Sequence, residues 1–257
     1  MDKKVFRYSL GCILLALILA AFYFSKAAVF IVSIIFIIMA MAEYRGMFRY
    51  KNIYPHMLIP EIIGIVLAYN FIFGGYIVGI LTAGCIISFI ITVIFNKKPY
   101  ILTSMITITA IFFIFCGLYI IKLATIDGIS VILVYFSAVL AGDYLASIIG
   151  PKIKSIHISP EISPNKTLAG SIANIIAAVL ICLLLHKFIG LSILKCIFAG
   201  LIVSFTSQMG DLTISTFKRD LGIKHSGALF LGYGGILDRT DAFIFSAPAL
   251  YYTLLLI

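Results

Sequence analysis

Only ten acidic residues are spread through 257 positions. Five of them, Glu43, Asp143, Asp211, Asp238 and Asp241, lie within or against long apolar runs, where a carboxylate costs at least a few kcal/mol near a bilayer centre and is retained for a partner or a task. If the stretch after Thr206 is helical, Asp211, Ser215 and Lys218 follow at i, i+4 and i+7 on one face, with Arg219 beside them. Asp238 and Asp241, three apart and flanking Arg239, share a second helical face. The spacing predicts that Asp211, Asp238 and Asp241 converge on one divalent cation. Mg²⁺ suits such a set, because one or two carboxylates hold it while substrate phosphates complete its octahedron.

Between these two faces runs a glycine-rich segment, Lys224-His225-Ser226-Gly227 through Gly232-Tyr233-Gly234-Gly235. Glycines let backbone N–H groups approach a phosphate and adopt positive φ. Upstream, Ser159–Thr167 is rich in Pro and Ser and ends in Lys166, with Thr167 placed to cap a following helix. Together these features read as a site for a metal-bound polyphosphate at a membrane face. Taken singly, each has a plainer reading. Glycines also permit close helix packing, Lys218 and Arg219 also anchor a helix at the cytoplasmic edge, and Glu43 near Arg45 reads as a neutralised interfacial pair. His56, His157, His186 and His225 match no metal-ligand spacing and are expected to be non-catalytic. Tyr233 reads as an interfacial aromatic.

The elements that must position these groups are helices in a bilayer. The chain is 63% hydrophobic and 11% charged, with a mean hydropathy of +1.18, whereas soluble domains carry about 25% charged residues. Apolar runs fall at about 6–24, 27–42, 57–73, 75–95, 101–121, 129–149, 168–186, 189–206 and 242–257. Most approach the ~20 residues needed to span hydrocarbon, and the expectation is an all-α, polytopic bundle of about nine transmembrane helices. It forms a single integral membrane domain over 1–257, with N-terminal helices in 1–128 and the candidate site in 129–257. The basic start and apolar run of residues 1–21 resemble a signal peptide, but the run continues to Phe24 and straight into the next, as in an uncleaved first helix. Gly74-Gly75 and Lys97-Lys98-Pro99 mark turns. The cysteines, Cys12, Cys85, Cys116, Cys182 and Cys196, all sit in apolar runs without a CxxC pair and read as packing residues.

The net charge of +9 comes from basic residues dispersed between spans, which argues against nucleic acid and for topology. With the N-terminus cytoplasmic, fifteen of the nineteen Lys and Arg residues fall in cytoplasmic segments, as the positive-inside rule requires. The polar segments 150–167 and 207–241 then face the cytosol, and Asn165 of the Asn165-Lys166-Thr167 sequon is expected to be unglycosylated.

The run Gly210-Asp211-Leu212-Thr213-x-Ser215-x-x-Lys218-Arg219, then Gly222-Ile223-Lys224, then Gly232-x-Gly234-Gly235-Ile236-Leu237-Asp238-Arg239-x-Asp241 closely resembles the signature of the phosphatidate cytidylyltransferase family. Asp143-Tyr144-x-Ala146 and Ile162-Ser163-Pro164-x-Lys166-Thr167-x-x-Gly170 are similar to the family's preceding blocks, so the likeness is firm over roughly 143–241, while the N-terminal half is similar mainly in hydropathy and at Glu43. It departs at Ala169, Ile214, His225 and Tyr233.

The resemblance implies a CTP-dependent nucleotidyltransferase of phospholipid biosynthesis in the inner (cytoplasmic) membrane, its site facing the cytoplasm. CTP and phosphatidic acid give CDP-diacylglycerol and pyrophosphate, with Mg²⁺ as cofactor. It leaves room for a second, monovalent cation and is compatible with a homodimer. It further implies that Asp211, Asp238 and Asp241 hold the metal, with Asp143 as an added ligand or anchor. Lys166, Lys218, Arg219 and Arg239 would take the CTP phosphates and lipid headgroup, while Ser215, Lys224, Gly232, Gly234 and Gly235 would bind or position phosphates. The alternatives are a transporter or channel that uses the buried carboxylates as an ion pathway, and a catalytically weakened, lipid-binding relative.

Overall fold

A computed structural model describes residues 3–95, 99–153, 155–227 and 234–257, the side chains of residues 3–12, Leu14 and Asp127 excepted. Among the described residues the fold is all-α. The helices are α1 (Lys3–Phe24), α2 (Lys26–Arg49), α3 (Leu58–Phe73), α4 (Ile77–Phe95), α5 (Tyr100–Asp127), α6 (Ile129–Lys152), α7 (Leu168–Leu184), α8 (Ile193–Asp220) and α9 (Leu237–Leu256). Five of them, α2, α4, α5, α6 and α8, are long and apolar enough to cross a bilayer, while α3 and α7 are apolar but shorter.

Helix ends sit where local chemistry stops them. The Ser25 hydroxyl accepts the Ala28 N–H at 3.1 Å and caps α2. Thr167 accepts the Gly170 N–H at 3.2 Å and starts α7, as its position predicts. Gly74 ends α3 with φ of 89°, a conformation open to glycine at little cost. The second turn expected from sequence, at Lys97-Lys98-Pro99, has its two lysines outside the described residues. Several helices outrun their apolar stretches, α2 and α8 the furthest. α2 continues seven residues past position 42, because Glu43, Tyr44, Met47 and Phe48 are all buried there. α8 continues through the polar segment 207–220, because one face of that segment lines a cavity.

Polarity across several helices is inverted relative to a soluble protein. On α4 the buried residues are Gly84, Ser88 and Thr92, whereas Val78, Val93 and Ile94 are 74%, 75% and 67% exposed. Small and hydroxylated residues face inward and large aliphatics face outward, as expected where lipid is the solvent and helices associate by close packing.

The C-terminal half shows the same logic. A Cβ on Gly200 would lie 2.6 Å from Val179 Cα, and one on Gly210 would fall on the carbonyl oxygen of Asp241. α8 is therefore pressed against α7 at one level and against α9 at another. Tyr135 of α6 donates its hydroxyl to the Phe243 carbonyl at 3.0 Å and shares a hydrogen bond with Ser246 at 2.7 Å, tying α6 to α9.

Candidate active site

The C-terminal turns of α6 and α8, the N-terminal turns of α7 and α9, residues 158–167, and Lys224 and His225 meet around a polar cavity of about 800 Å³. Asp143, Lys166, Asp211, Lys218, Arg219, Lys224, Asp238, Arg239 and Asp241 all line it. The helical phase expected for Asp211, Ser215 and Lys218 is borne out: α8 is continuous, and the Ser215 hydroxyl donates to Asp211 Oδ1 at 3.4 Å. Asp238 and Asp241 likewise share the cavity face of α9.

Two of the cavity's carboxylates meet lysines. Lys166 Nζ lies 2.8 Å from Asp211 Oδ2 and also donates to the Gln208 carbonyl at 3.1 Å. Lys218 Nζ lies 2.6 Å from Asp238 Oδ1, and both side chains are only 9% exposed. Asp238 Oδ2 accepts the N–H groups of Ser226 at 3.0 Å and Gly235 at 3.2 Å. Asp238 precedes the apolar part of α9, which begins at Ala242. Burial alone would raise its carboxyl pKa, but the Lys218 ammonium and the two N–H donors outweigh that and hold it below the ordinary carboxylate value.

Asp143 accepts from Asn174 Nδ2 at 3.2 Å, and Asn174 Oδ1 accepts the Ser204 hydroxyl at 2.6 Å. Gln208 Nε2 donates to Ser204 at 3.1 Å, and the Ser171 hydroxyl donates to the Gln208 side-chain oxygen Oε1. This chain links α6, α7 and α8 and anchors Asp143 in place.

Three expected residues stand differently from the rest. Arg219 is at the rim, where Nε donates to the Ile162 carbonyl at 2.9 Å and Nη1 to the Ile223 carbonyl at 3.1 Å, clasping the 153–167 loop to the end of α8. Gly234, with φ of 95°, and Gly235 turn their Cα atoms to carboxylates: a Cβ at Gly234 would lie 2.5 Å from Asp238 Oδ2, and one at Gly235 would fall on the carboxylate of Glu43. Gly232 and Tyr233 lie outside the described residues. Of the departures from the family signature, Ile214 is buried in the core, whereas His225 lines the cavity with Nδ1 3.7 Å from Asp238 Oδ2.

Glu43 corrects the sequence reading. Its partner is not Arg45. Oε2 accepts the Ile236 N–H at 2.6 Å, and Oε1 accepts the Leu237 N–H at 3.0 Å and the Ser226 hydroxyl. Asn174 and Gln208 were also missed as site residues. The signal for Gln208 was present, since Ser204, Gln208, Asp211, Ser215 and Lys218 follow at alternating steps of four and three along one helical face.

The cavity wall offers oxygen donors of the class that hard cations take. The expected convergence of Asp211, Asp238 and Asp241 on one cation is not met: among the described residues, no three Asp, Glu, His or Cys side chains are grouped closely enough to hold an ion by themselves, and Asp211 and Asp238 are each drawn to a lysine instead. That fits a divalent cation that arrives with phosphate oxygens and needs one or two protein carboxylates, rather than one caged by protein alone. On the cavity's flank, Arg239 also borders an apolar crevice lined by Phe22, Phe113, Phe136 and Phe243.

The cytidylyltransferase family model matches residues 5–257. The chain belongs to the cytidylyltransferase family. Among curated members it is 38% identical over 132 residues to the phosphatidate cytidylyltransferase of Synechocystis, which covers 51% of this chain and 45% of that protein. It is 39% identical over 126 residues to the phosphatidate cytidylyltransferase of Staphylococcus haemolyticus, covering 48% of each. It is also 34% identical over 155 residues to that of Bacillus subtilis, covering 59% of this chain and 58% of the relative. The chain thus spans about half the length of the curated relatives it matches. This member of the family carries its paired charges on helices whose outward faces bear large apolar side chains.

Proposed function

We propose that the chain is a phosphatidate cytidylyltransferase that converts CTP and phosphatidic acid into CDP-diacylglycerol and pyrophosphate. The observation that carries this reading is the single cavity holding Asp143, Asp211, Asp238 and Asp241 together with Lys166, Lys218, Arg219 and Lys224, bordered at Arg239 by an apolar crevice. Such a cavity suits two anionic substrates, one of which carries acyl chains.

A phosphate oxygen of the lipid attacks the α-phosphorus of CTP. The bond from that phosphorus to the oxygen bridging to the β-phosphate breaks, and pyrophosphate leaves with the bond's electron pair. No protein nucleophile is needed. Lys166 and Lys218 exchange their carboxylate partners for substrate phosphates, which screens the approach of two anions and stabilises charge on the leaving oxygens. Arg239, between polar cavity and apolar crevice, binds the lipid phosphate. Mg²⁺ would be held by one or two of Asp211, Asp238 and Asp241, with Asp143 close by and substrate phosphates completing its shell, and would supply Lewis-acid stabilisation of the phosphates. Ser215 keeps Asp211 oriented, and the glycine-rich loop orients phosphates.

The same reading takes residues 1–257 as one domain of nine spans in the cytoplasmic membrane, N-terminus inside. It is supported by the positive-inside distribution, and by the cavity drawing on the C-termini of even-numbered helices and the N-termini of odd-numbered ones. The test is pyrophosphate release by purified protein given phosphatidic acid, CTP and Mg²⁺. Wild type should turn over, EDTA should stop it, and Asp238→Asn should abolish CDP-diacylglycerol formation while still inserting in the membrane. Solute flux through liposomes without pyrophosphate release would replace this reading with a transporter.

A further inference from the structure

α9 begins without a cap of its own. Its first N–H groups have no partner within the helix, and Ile236 at the N-cap position offers no side-chain oxygen. The acceptor comes from α2 instead, 193 residues away, where the Glu43 carboxylate takes the N–H groups of Ile236 and Leu237 together with the Ser226 hydroxyl. A carboxylate here is favoured twice, by charge-assisted hydrogen bonds and by the positive end of the helix dipole.

The neighbouring glycines are cut to fit it. A Cβ on Gly227 would lie 2.8 Å from Glu43 Cγ, and one on Gly235 would fall on its carboxylate. From the cavity side, Asp238 grips the same turn through the N–H groups of Ser226 and Gly235. The start of α9 is therefore held between two carboxylates. One faces the chemistry and one, Glu43, is buried behind it at 8% exposure.

We propose that Glu43 is a positioning residue of this site: by fixing Ser226 and the first turn of α9 at Ile236 and Leu237, it sets where Asp238 and Asp241 stand and thereby controls turnover. This rests on the nucleotidyl-transfer reading above, but makes a claim of its own about the N-terminal half of the chain.

The test compares wild type, Glu43→Gln and Ser226→Ala in detergent or nanodiscs. The readouts are steady-state pyrophosphate release with phosphatidic acid and Mg²⁺-CTP, melting temperature, and hydrogen exchange at Ile236 and Leu237. Glu43→Gln keeps the shape and one acceptor oxygen but sets an NH₂ group against an N–H donor. It should lower kcat about 10- to 100-fold, the range seen when a group that orients metal or phosphate ligands is lost. KM for CTP should move less than about twofold, and exchange at both amides should accelerate. Ser226→Ala should give the smaller fall, since it leaves both backbone bonds intact. A kcat within about twofold of wild type would overturn the proposal even if the melting temperature dropped, because that is what a purely structural cap predicts. If wild type releases no pyrophosphate, the functional reading fails, and exchange alone decides Glu43: faster exchange supports the clamp and unchanged exchange overturns it.

Discussion

Lys218→Met isolates the strongest electrostatic contact in the site. The Lys218–Asp238 pair has an N–O distance of 2.6 Å, with both side chains 9% exposed. Removing one member of a buried pair costs about 3–5 kcal/mol, because the survivor keeps its desolvation penalty without compensation. Here Asp238 retains the N–H groups of Ser226 and Gly235, and the cavity admits water, so the lower end, about 3 kcal/mol, applies. For a chain of this size that corresponds to a melting temperature lower by about 6–12 °C. Asp238→Asn should cost less, because the freed ammonium sits on a flexible stem and can turn toward cavity water. The double variant Lys218→Met/Asp238→Asn should then be more stable than the two single losses predict, with a coupling of about 1–3 kcal/mol. Thermal unfolding of all four proteins in one detergent, followed by circular dichroism, measures this directly. A Lys218→Met protein melting within about 2 °C of wild type, or strictly additive losses, would refute the buried ion pair and with it the charge exchange invoked for catalysis.

The lowered Asp238 carboxyl makes a pH prediction whose sign is fixed. A carboxyl that binds its proton more weakly in the folded chain adds stability above its ordinary pKa, and that stability is lost as pH falls through the lower, folded value. Wild type should therefore lose melting temperature on acidification below about pH 4, and Asp238→Asn should lose less over the same window. Gly210→Ala should destabilise by about 1–3 kcal/mol or more, because its Cβ would fall on the Asp241 carbonyl, a backbone atom that cannot rotate away. Gly117→Ala on α5, with nothing within 4 Å of its Cβ position, is the control and should be neutral or stabilising by a few tenths of a kcal/mol in the same melting assay.

What was legible in the sequence was whatever a single helix determines. The face carrying Asp211, Ser215 and Lys218 follows from 3.6-residue periodicity alone, and the structure extends it back to Ser204 without a break. Helix positions were equally local, since a long apolar run with charged ends reports its own limits. The errors lie where burial continued past the apolar run, as at Glu43 to Phe48 in α2, where tertiary contacts override the local hydropathy signal. Arg219 shows a subtler limit. Its type and position promised a phosphate ligand, yet the chain has backbone carbonyls of its own to satisfy, and the guanidinium holds two of them.

Glu43 marks the deepest limit, and its physics explains why. A carboxylate beside an arginine in sequence invites a local pair, but a charge taken out of water chooses the partners that desolvate with it. Two N–H groups at the mouth of a helix are already unpaired and already carry partial positive charge. An arginine near a membrane surface can reach water by itself and gains less from pairing. The buried acid therefore goes to the helix end, and the glycines at 227 and 235 follow from its volume rather than from turn geometry alone. The N-terminal half of the chain thereby reaches into a site whose sequence motif lies mainly in the C-terminal half.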